Sequence, residues 1–386
     1  MRTRSTLFLA SLLAGITACS DVPTATPPAS TQVEARLGGA ERVTSVASSV
    51  RWTRKAVSLF RARGGIVSRI NAYVALAQYR GVLAALREHG RRFERATLAG
   101  AVAGGSDVVL KNFYPLDSAS IDAMMAQQRT EQPDADALDD FDAGVVIGRG
   151  AGVRVLAQAA TDNYNLTDPG PPPVGPGYWV SSGAPTVRGG FGARPFFMHS
   201  GSELRLGPPP TFGSSRFLAQ LAEVRAISDT RTPDQVALVR RWAPFSDVVF
   251  DSIATGLIES RHRGELESVA ILAYGNAASY DAIVACFDTK FTYWHIRPTQ
   301  ADPHITTAVP LPNHPSWPSG HSCASGAWST ILRVAFPADR RMIDSLASDA
   351  SLSRLVGGLH YRSDTDAGTL LGQRAATLAL RRGGLE

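Results

Sequence analysis

The sequence predicts an all-α fold, a helical bundle, and two observations support this. Apolar and aromatic residues recur at steps of three and four through long segments, as in Ile66, Ile70, Tyr73, Leu76, Tyr79, Leu83 and Leu86. No segment combines strand-like alternation with turn signals, and no glycine-rich nucleotide loop or internal repeat occurs. A helix is expected to start at Thr232–Pro233–Asp234, and others to cover residues 136–160, 265–287, 322–336, 342–351 and 364–382.

The first residues have the pattern of an export signal. Arg2 and Arg4 precede an apolar stretch from Leu7 to Ile16 that is too short to span a bilayer. The following Thr-Ala-Cys19 resembles the lipobox of bacterial lipoproteins, in which cleavage before the cysteine leaves its thiol lipidated. We therefore expect a signal peptide over residues 1–18 and a lipid on Cys19; an ordinary secretory signal is the alternative.

The mature chain is expected to be anchored outside the cytoplasm. Ser20, rather than the Asp that retains lipoproteins in the inner membrane, favours the outer membrane, facing the periplasm or the surface. Residues 19–40 are rich in Pro, Thr, Ala and Ser and predict a flexible tether. Contact with a membrane is expected through the N-terminal lipid only.

Residues 41–386 are expected to form a helical catalytic domain. Its N-terminal helical part covers residues 41–160, where Gly144, Gly148 and Gly150 would let helices approach closely. Residues 161–212 are dense in Pro and Gly but also carry aromatic residues, which predicts an ordered loop that walls a cavity rather than a flexible linker. The chemistry-bearing motifs lie in residues 213–386.

Composition limits the classes of partner. Of 386 residues, 44% are hydrophobic, which suffices for a sizeable core, and the formal net charge is +5. The basic residues are scattered arginines without aromatic interleaving, so the charge suits a small anionic ligand and does not indicate nucleic acid. Cys286 and Cys323 either form one disulfide or are two buried free thiols. The sequence does not give the oligomeric state.

The first candidate motif is KFTYWHIRP, which begins at Lys290. Lys290 and Arg297 are seven residues apart, so on a helix they would lie on one face, and Pro298 would then end the helix or turn the chain. One ammonium and one guanidinium that converge suit a multiply charged oxyanion. Taken alone, the pair better suits a solvated helix surface.

The second motif is HPSWPSGH, residues 314–321. Gly320 would let the backbone approach a ligand, and the Ser319 hydroxyl and the free N–H groups at a helix start are anion donors. His321 can exchange protons near neutral pH. A proline- and glycine-rich turn with a helix cap is the plain alternative.

The third motif is SRLVGGLHYRSD, residues 353–364. Arg354 adds a third cation. His360 and Asp364 are four residues apart, one above the other if the segment is helical. A carboxylate there would hold one ring nitrogen protonated and leave the other free as a nucleophile or metal ligand.

Together and in this order, the three motifs resemble those of the phosphatidic acid phosphatase type 2 and vanadium haloperoxidase superfamily. The pattern is K-x6-RP, then PSGH, then SR-x5-H-x3-D, and every motif position is present. The resemblance extends to the Pro/Gly/aromatic loop and to the Phe287–Lys290 lead-in, as in bacterial proteins identified as vanadium-dependent haloperoxidases. It implies the helical bundle of that superfamily.

The resemblance also implies a role for each motif residue. Lys290, Arg297 and Arg354 would neutralise a tetrahedral oxyanion, and Ser319 and the Gly320 N–H would hydrogen-bond to it. His321 would be the acid/base. In a haloperoxidase, His360 would bind the vanadium of vanadate, and hydrogen peroxide and halide would be the substrates. In an acid phosphatase, which needs no vanadate, His360 would instead attack the phosphorus of a phosphomonoester, oriented by Asp364.

One residue outside the oxyanion set bears on the choice between these activities. His314 stands at the position that is aromatic in chloroperoxidases of the superfamily and His in algal bromoperoxidases, so it is a candidate for the halide pocket; packing against Trp317 is the alternative. The sequence favours the haloperoxidase, with the phosphatase second and a non-catalytic oxyanion binder third. Intact His321, His360 and Asp364 argue against a simple binder.

Overall fold

The computed structural model describes residues 46–89, 95–164, 166–183 and 189–385. Within these ranges the chain forms α-helices and no β-strand, so the prediction of an all-α fold is confirmed. The helices are α1 Ser48–Arg63, α2 Val67–His89, α3 Arg95–Phe113, α4 Ser118–Thr130, α5 Ala135–Ala159, α6 Ser215–Thr230, α7 Pro233–Arg241, α8 Ser246–Ser260, α9 Glu265–Tyr293, α10 Pro298–Ala301, α11 Gly320–Ala335, α12 Arg340–Val356 and α13 Arg362–Arg382.

The long helix α9 is the centre of the bundle and packs against α2, α11 and α13. Glu265 and Glu267 lie in its first turn, where carboxylates are favourable to the helix dipole. Its length and hydropathy would suit a membrane span, but 89% of its apolar window is buried inside the protein. The apolar composition of α9 is therefore explained by its place in the core.

Small residues bring α3 and α5 into close contact. A Cβ on Gly144 would lie 2.1 Å from the Thr97 carbonyl oxygen, and one on Gly148 would lie 2.0 Å from that of Ala101. These distances are too short for any side chain, so the expected close approach holds at both glycines. Gly150 is different, because a Cβ there would meet only the Arg154 side chain, at 3.6 Å.

The loop after α5 is fixed to the chain segment that follows α9. The Trp179 N–H donates to the Trp294 carbonyl at 2.7 Å, and the Ile296 N–H donates to the Gly177 carbonyl at 3.0 Å. Trp179 is 2% exposed and stacks on Trp294 at 6.1 Å between ring centroids. The described part of the loop is thus held in place beside the residues that lead into Arg297.

The structure describes Cys286 and Cys323 but not Cys19. The expected signal peptide, Cys19 and the tether lie outside the described residues. Cys286 on α9 and Cys323 on α11 are buried free thiols, so the structure takes the second of the two alternatives and contains no disulfide between them.

Candidate active site

The three motifs converge on one cavity of about 920 Å³. His314, Gly320, His321, Arg354 and His360 line it. Arg297 and Asp364 do not line the cavity but bond to the ring of His360, which does. Lys290 and Ser319 bond to the neighbouring Pro315 and Ser322. Residues as much as 74 positions apart in the chain, from 290 to 364, therefore meet at one place.

Lys290 supports the backbone of the second motif. Its ammonium donates to the carbonyl oxygens of Pro315 at 2.8 Å, Ser316 at 2.9 Å and Pro318. Three hydrogen bonds use all three N–H donors, and the side chain is fully buried. Burial lowers the pKa of Lys290 to about 8, which leaves the ammonium mainly protonated at neutral pH. Lys290 therefore contributes its positive charge to the site from behind the backbone of residues 315–318.

Arg297 is placed differently from the helical arrangement considered for the first motif. Helix α9 ends at Tyr293, Trp294 has a left-handed backbone with φ of 50°, and Arg297 is extended at φ −81° and ψ 154°. The extended backbone agrees with the steric restriction on a residue that precedes proline, here Pro298. The expectation that Lys290 and Arg297 share a helix face was wrong, yet the turn still brings both cations to the site.

The Arg297 guanidinium connects the second and third motifs. It donates to the carbonyl oxygens of His314 at 3.0 Å and Leu359 at 2.8 Å. It also contacts His360 Nε2 at 3.0 Å and His314 Nδ1 at 2.9 Å. Since guanidinium is only a donor, both ring nitrogens are acceptors. Arg297 is fully buried, so its planar fork fixes the orientation of both rings.

His360 and Asp364 form a buried pair, as expected, but not along one helix. Helix α13 begins at Arg362, so His360 precedes it, and the Asp364 carboxylate caps its first turn by accepting the Tyr361 N–H at 3.2 Å. The same oxygen, Oδ2, lies 2.9 Å from His360 Nδ1. The side chains of the pair are 4% and 0% exposed, so the pair lies in the interior and not at the surface.

The protonation of His360 follows from its partners. His360 Nδ1–H donates to Asp364, and Arg297 donates to His360 Nε2. The neutral ring therefore carries its proton on Nδ1 and its basic lone pair on Nε2. Burial and the neighbouring Arg297 hold the pKa of His360 well below its usual value. Burial also raises the pKa of Asp364 to about 6, although the hydrogen bond from Ser316 and the charge of Lys290 both lower it. The result is a neutral, oriented imidazole with its basic nitrogen beside a guanidinium.

Ser319 and Gly320 form the start of α11. The Ser319 side chain accepts the Ser322 N–H at 3.4 Å and caps this 16-residue helix. Gly320 is the first helical residue and lines the cavity, and a Cβ built on it would meet no atom closer than 4.0 Å. The N–H groups of Gly320 and His321 have no hydrogen-bond partner among the described residues, so the helix start offers donors of the kind that favour anions.

His321 and Arg354 share one backbone acceptor. Arg354 donates to the Trp242 carbonyl at 3.1 Å, and His321 Nε2 lies 3.1 Å from the same oxygen and 3.3 Å from that of Pro244. Both partners of Nε2 are acceptors, so Nε2 carries the proton and Nδ1 is the basic nitrogen of the neutral ring. Burial and the charge of Arg354 lower the pKa of His321 well below its usual value.

His314 lies between the oxyanion residues and an aromatic wall. Its Nδ1 accepts from Arg297, and its ring meets that of Phe287 edge to face at 5.1 Å. The packing partner is thus Phe287, where Trp317 was considered from the sequence. The side chain is 9% exposed and lines the cavity.

The balance of charge at this site is strongly positive. Lys290, Arg297 and Arg354 are 0%, 0% and 3% exposed. None of them makes an ion pair with a carboxylate among the residues that the structure describes, and Asp364 pairs with His360 instead. Because an isolated buried charge is costly, three such cations indicate a site built for a multiply charged anion.

Comparison with known proteins agrees with this site. The model of the PAP2 superfamily matches residues 268–383, the part of the chain that contains all three motifs. We call residues 268–383 the PAP2-superfamily segment, after the model that they match. None of the curated protein sequences compared with the chain matches it.

The fold resembles that of bacterial vanadium-dependent haloperoxidases. A bacterial vanadium-dependent iodoperoxidase superimposes with a TM-score of 0.72 at 18% identity, over 89% of this chain and 98% of that one. The apo and holo forms of a bacterial vanadium-dependent chloroperoxidase both give 0.65, at 16% and 15% identity, over 81% and 86% of this chain and 92% of theirs. The likeness covers nearly all of each relative and includes helices outside the PAP2-superfamily segment.

Three contributors to the site were not identified from the sequence. The Ser316 hydroxyl donates to Asp364 Oδ2 at 2.5 Å. The Trp242 carbonyl, which holds Arg354 and His321, precedes the PAP2-superfamily segment, and Phe245 meets His321 edge to face at 5.2 Å. Ser316 stands inside the second motif and offered a signal. The Trp242 carbonyl is 79 residues from His321 in the sequence and offered no signal.

Proposed function

We propose that this protein is a vanadate-dependent haloperoxidase that oxidises halide with hydrogen peroxide at an oxyanion held by His360. The buried group of three cations, which have no carboxylate partner among the described residues and lie beside a histidine that Asp364 orients, supports a site for a tetrahedral oxyanion. The observation that carries the choice of a haloperoxidase is the fold shared with the iodoperoxidase and the chloroperoxidase.

The residues present fit vanadate. Lys290, Arg297 and Arg354 would offset its negative charge, and the N–H groups at the start of α11 would bind its oxygens. His360 Nε2 would ligate the metal, with Nδ1–H donated to Asp364 so that the ring is oriented and more basic. When bound, vanadate would supply the centre at which peroxide becomes reactive toward halide.

Side chains of the protein would transfer protons close to the bound vanadate. His321 lines the same cavity, and its Nδ1 is the basic nitrogen while Nε2–H is held by the Trp242 and Pro244 carbonyls. Halide oxidation by peroxide consumes one proton for each hypohalous acid formed. A neutral imidazole can take a proton from peroxide and return it to the leaving oxygen.

A phosphatase of the same superfamily is the second candidate, because the PAP2-superfamily segment contains all three motifs and phosphate has the shape of vanadate. There His360 Nε2 would attack phosphorus to give a phosphohistidine, the oriented Asp364 would stabilise the imidazolium, and His321 would protonate the departing alcohol. Nothing in the group of three cations favours one tetrahedral oxyanion over the other.

Two assays on one preparation separate the candidates. The protein is purified without metal and assayed for p-nitrophenyl phosphate hydrolysis. It is then loaded with orthovanadate and assayed for bromination of a phenol-type dye with peroxide. The proposal expects bromination that depends on vanadate; hydrolysis without any bromination would reject it in favour of the phosphatase.

A matched pair of histidine variants tests the site itself. His360→Ala is expected to abolish either activity, because the ligand or nucleophile is lost. His304→Ala is the control, since His304 is 77% exposed at its side chain and bonds to Asp302 outside the cavity. If His360→Ala kept the activity of the control, the assignment of His360 would be wrong.

The same proposal places the enzyme outside the cytoplasm, held to the outer membrane by lipid on Cys19. The support is the apolar stretch and small-residue pattern before Cys19. Peroxide and halide are small and diffusible, so a catalytic domain on a tether would meet both.

A further inference from the structure

Two cysteine thiols lie behind the oxyanion site and have no part in the proposed reaction. Cys286 is on α9, one helical turn before Lys290, and Cys323 is on α11, one turn after Gly320. Both are fully buried free thiols. A buried cysteine among apolar groups alone is inert, so the neighbours of this pair decide its chemistry.

The two thiols contact each other and the backbone of the second motif. The Cys323 thiol donates to the Cys286 sulfur, and the Cys286 thiol donates to the Pro318 carbonyl at 3.8 Å. The same carbonyl accepts from the Lys290 ammonium. Helices α9 and α11 pack directly against each other. The two sulfur atoms are therefore already neighbours, as the formation of a disulfide requires.

The cations of the oxyanion site also act on Cys286. Burial raises the pKa of its thiol, but the Cys323 hydrogen bond and the charges of Lys290 and Arg297 outweigh burial and lower the pKa overall. Burial and the bond to Cys286 instead raise the pKa of Cys323 well above its usual value. Thiolate is the nucleophilic form of cysteine, so Cys286 is the more reactive member of the pair.

The cavity reaches close to both cysteines. Ile283, three residues before Cys286, and Gly320, three residues before Cys323, both line it. Gly320 adds no side chain here, and a Cβ built on it would meet no atom closer than 4.0 Å. Hydrogen peroxide is small and uncharged, so a molecule in the cavity comes within about one helical turn, ~5 Å, of the pair.

We propose that Cys286 and Cys323 are a peroxide-reactive pair, which hydrogen peroxide converts reversibly to a disulfide between α9 and α11. The Cys286 sulfur attacks one peroxide oxygen, the O–O bond breaks, and the released hydroxide takes the thiol proton as water. The Cys323 sulfur then displaces hydroxide from the Cys286 sulfenic acid, and this hydroxide leaves as water with the Cys323 proton. Two thiols are oxidised, and one peroxide is reduced to two waters.

The inference rests on the proposed function in one respect, because that function brings peroxide to the cavity. The disulfide would tie the helix that carries Lys290 to the helix whose first turn offers the anion donors. It would also close the chain from residue 286 to residue 323 into a loop, which restricts the unfolded state. The thermal midpoint is therefore expected to rise by several degrees on oxidation and to fall again with dithiothreitol.

The test uses protein without vanadate or halide, so that hypohalous acid does not contribute. The protein is reduced with dithiothreitol, freed of the reductant, treated with peroxide, denatured, alkylated with iodoacetamide and digested with trypsin. We expect the tryptic peptides 264–290 and 291–333 to be joined after peroxide and separate without it. Met342, which is 42% exposed, reports the peroxide dose as its sulfoxide in the same digest.

Two variants identify the role of each thiol. Cys323→Ser removes the second thiol, so Cys286 should stop at the sulfenic acid, which dimedone traps, and the midpoint should not rise on oxidation. Cys19→Ala is the control and should give the same joined peptides as the parent. Thermal midpoints before oxidation verify that each variant is folded, and the digest of the parent decides the inference if a variant is not.

The outcomes separate this inference from the proposed function. Alkylated Cys286 and Cys323 in a digest whose Met342 is oxidised would overturn the inference. Joined peptides that persist in the reduced protein would also overturn it, since the pair would then be a permanent disulfide. Sulfinic acid on Cys286 of the parent without a link would reject Cys323 as its partner. The proposed function fails on a different result, the absence of vanadate-dependent iodide oxidation by peroxide.

Discussion

The Ser316 hydroxyl donates to Asp364 Oδ2 at 2.5 Å, on the same oxygen that takes the Nδ1 proton of His360. Asp364 Oδ1, in contrast, has no hydrogen-bond partner among the described residues. Among the described residues, every hydrogen bond that the Asp364 carboxylate accepts, including that from the Tyr361 N–H, therefore falls on one oxygen. Ser316 lowers the pKa of Asp364 against the effect of burial and so favours the charged form that orients His360.

Ser316→Ala should weaken orthovanadate binding by about tenfold, because a hydrogen bond to a charged group contributes about 1.5–3 kcal/mol and part of this reaches the ligand through His360. Calorimetry measures the affinity. The proton-NMR signal of His360 Nδ1–H should also move, which a general loss of packing would not cause. Ser329→Ala is the matched control, since buried Ser329 bonds only to the Gly326 carbonyl within α11. Equal affinities for the two variants would contradict a positioning role for Ser316.

Lys290→Met should lower orthovanadate affinity at least tenfold and also lower the thermal midpoint. The substitution removes one buried positive charge, and it leaves the carbonyls of Pro315, Ser316 and Pro318 without their donor. Lys55→Met is the control, because Lys55 binds Ser120 at the surface. Unchanged calorimetric affinity for Lys290→Met would show that Lys290 supplies neither charge nor support to the site.

The convergence of the motifs could be predicted because the three motifs together resemble those of a known superfamily. His360 and Asp364 were expected to pair on a helix, and they do pair, although the helix begins between them. The pairing is robust since a carboxylate that caps the first turn reaches back to the residue before the helix. The all-α fold was predictable for a similar reason: helical periodicity is a local signal.

The course of the backbone between motif residues was not predictable. Lys290 and Arg297 have helical spacing, but Trp294 turns the chain into a left-handed conformation that periodicity does not reveal. The Trp242 carbonyl that holds His321 and Arg354 is a group every residue possesses, so no side chain marks it. Likewise, the three carbonyls on Lys290 depend on the shape of a loop and not on its side chains.

Cys19→Ala should release the protein from the membrane fraction of cells that export it, because no thiol remains to carry the lipid. Fractionation and immunoblotting measure the distribution. Cys286→Ala is the control, since Cys286 is buried in α9 and is expected to leave the anchor unchanged. Membrane association that persists in Cys19→Ala would favour an ordinary secretory signal or another anchor.

Two buried carboxyl groups predict that stability falls as pH rises. Asp247 and Asp251 on α8 are fully buried, and burial raises their pKa values to about 6 and about 7. In the unfolded chain both have the ordinary pKa of ~4. Between these values the folded state binds more protons, so the free energy of unfolding decreases with rising pH, by about 1.4 kcal/mol per pH unit for each group in full titration.

The effect falls between about pH 4 and about pH 7, the unfolded and folded pKa values of these groups. Below the unfolded histidine pKa of ~6.5, His314, His321 and His360, whose pKa values are lowered in the fold, act with the opposite sign. Comparison of the parent with Asp251→Asn removes this contribution, because both proteins contain the same histidines. Across this range the urea midpoint of the parent should fall relative to that of Asp251→Asn. The amide can be accommodated because Asn71 and Asn276, which now donate to Asp251, each have an Oδ1 without a partner among the described residues. A constant difference between the two midpoints would mean that Asp251 titrates as if exposed.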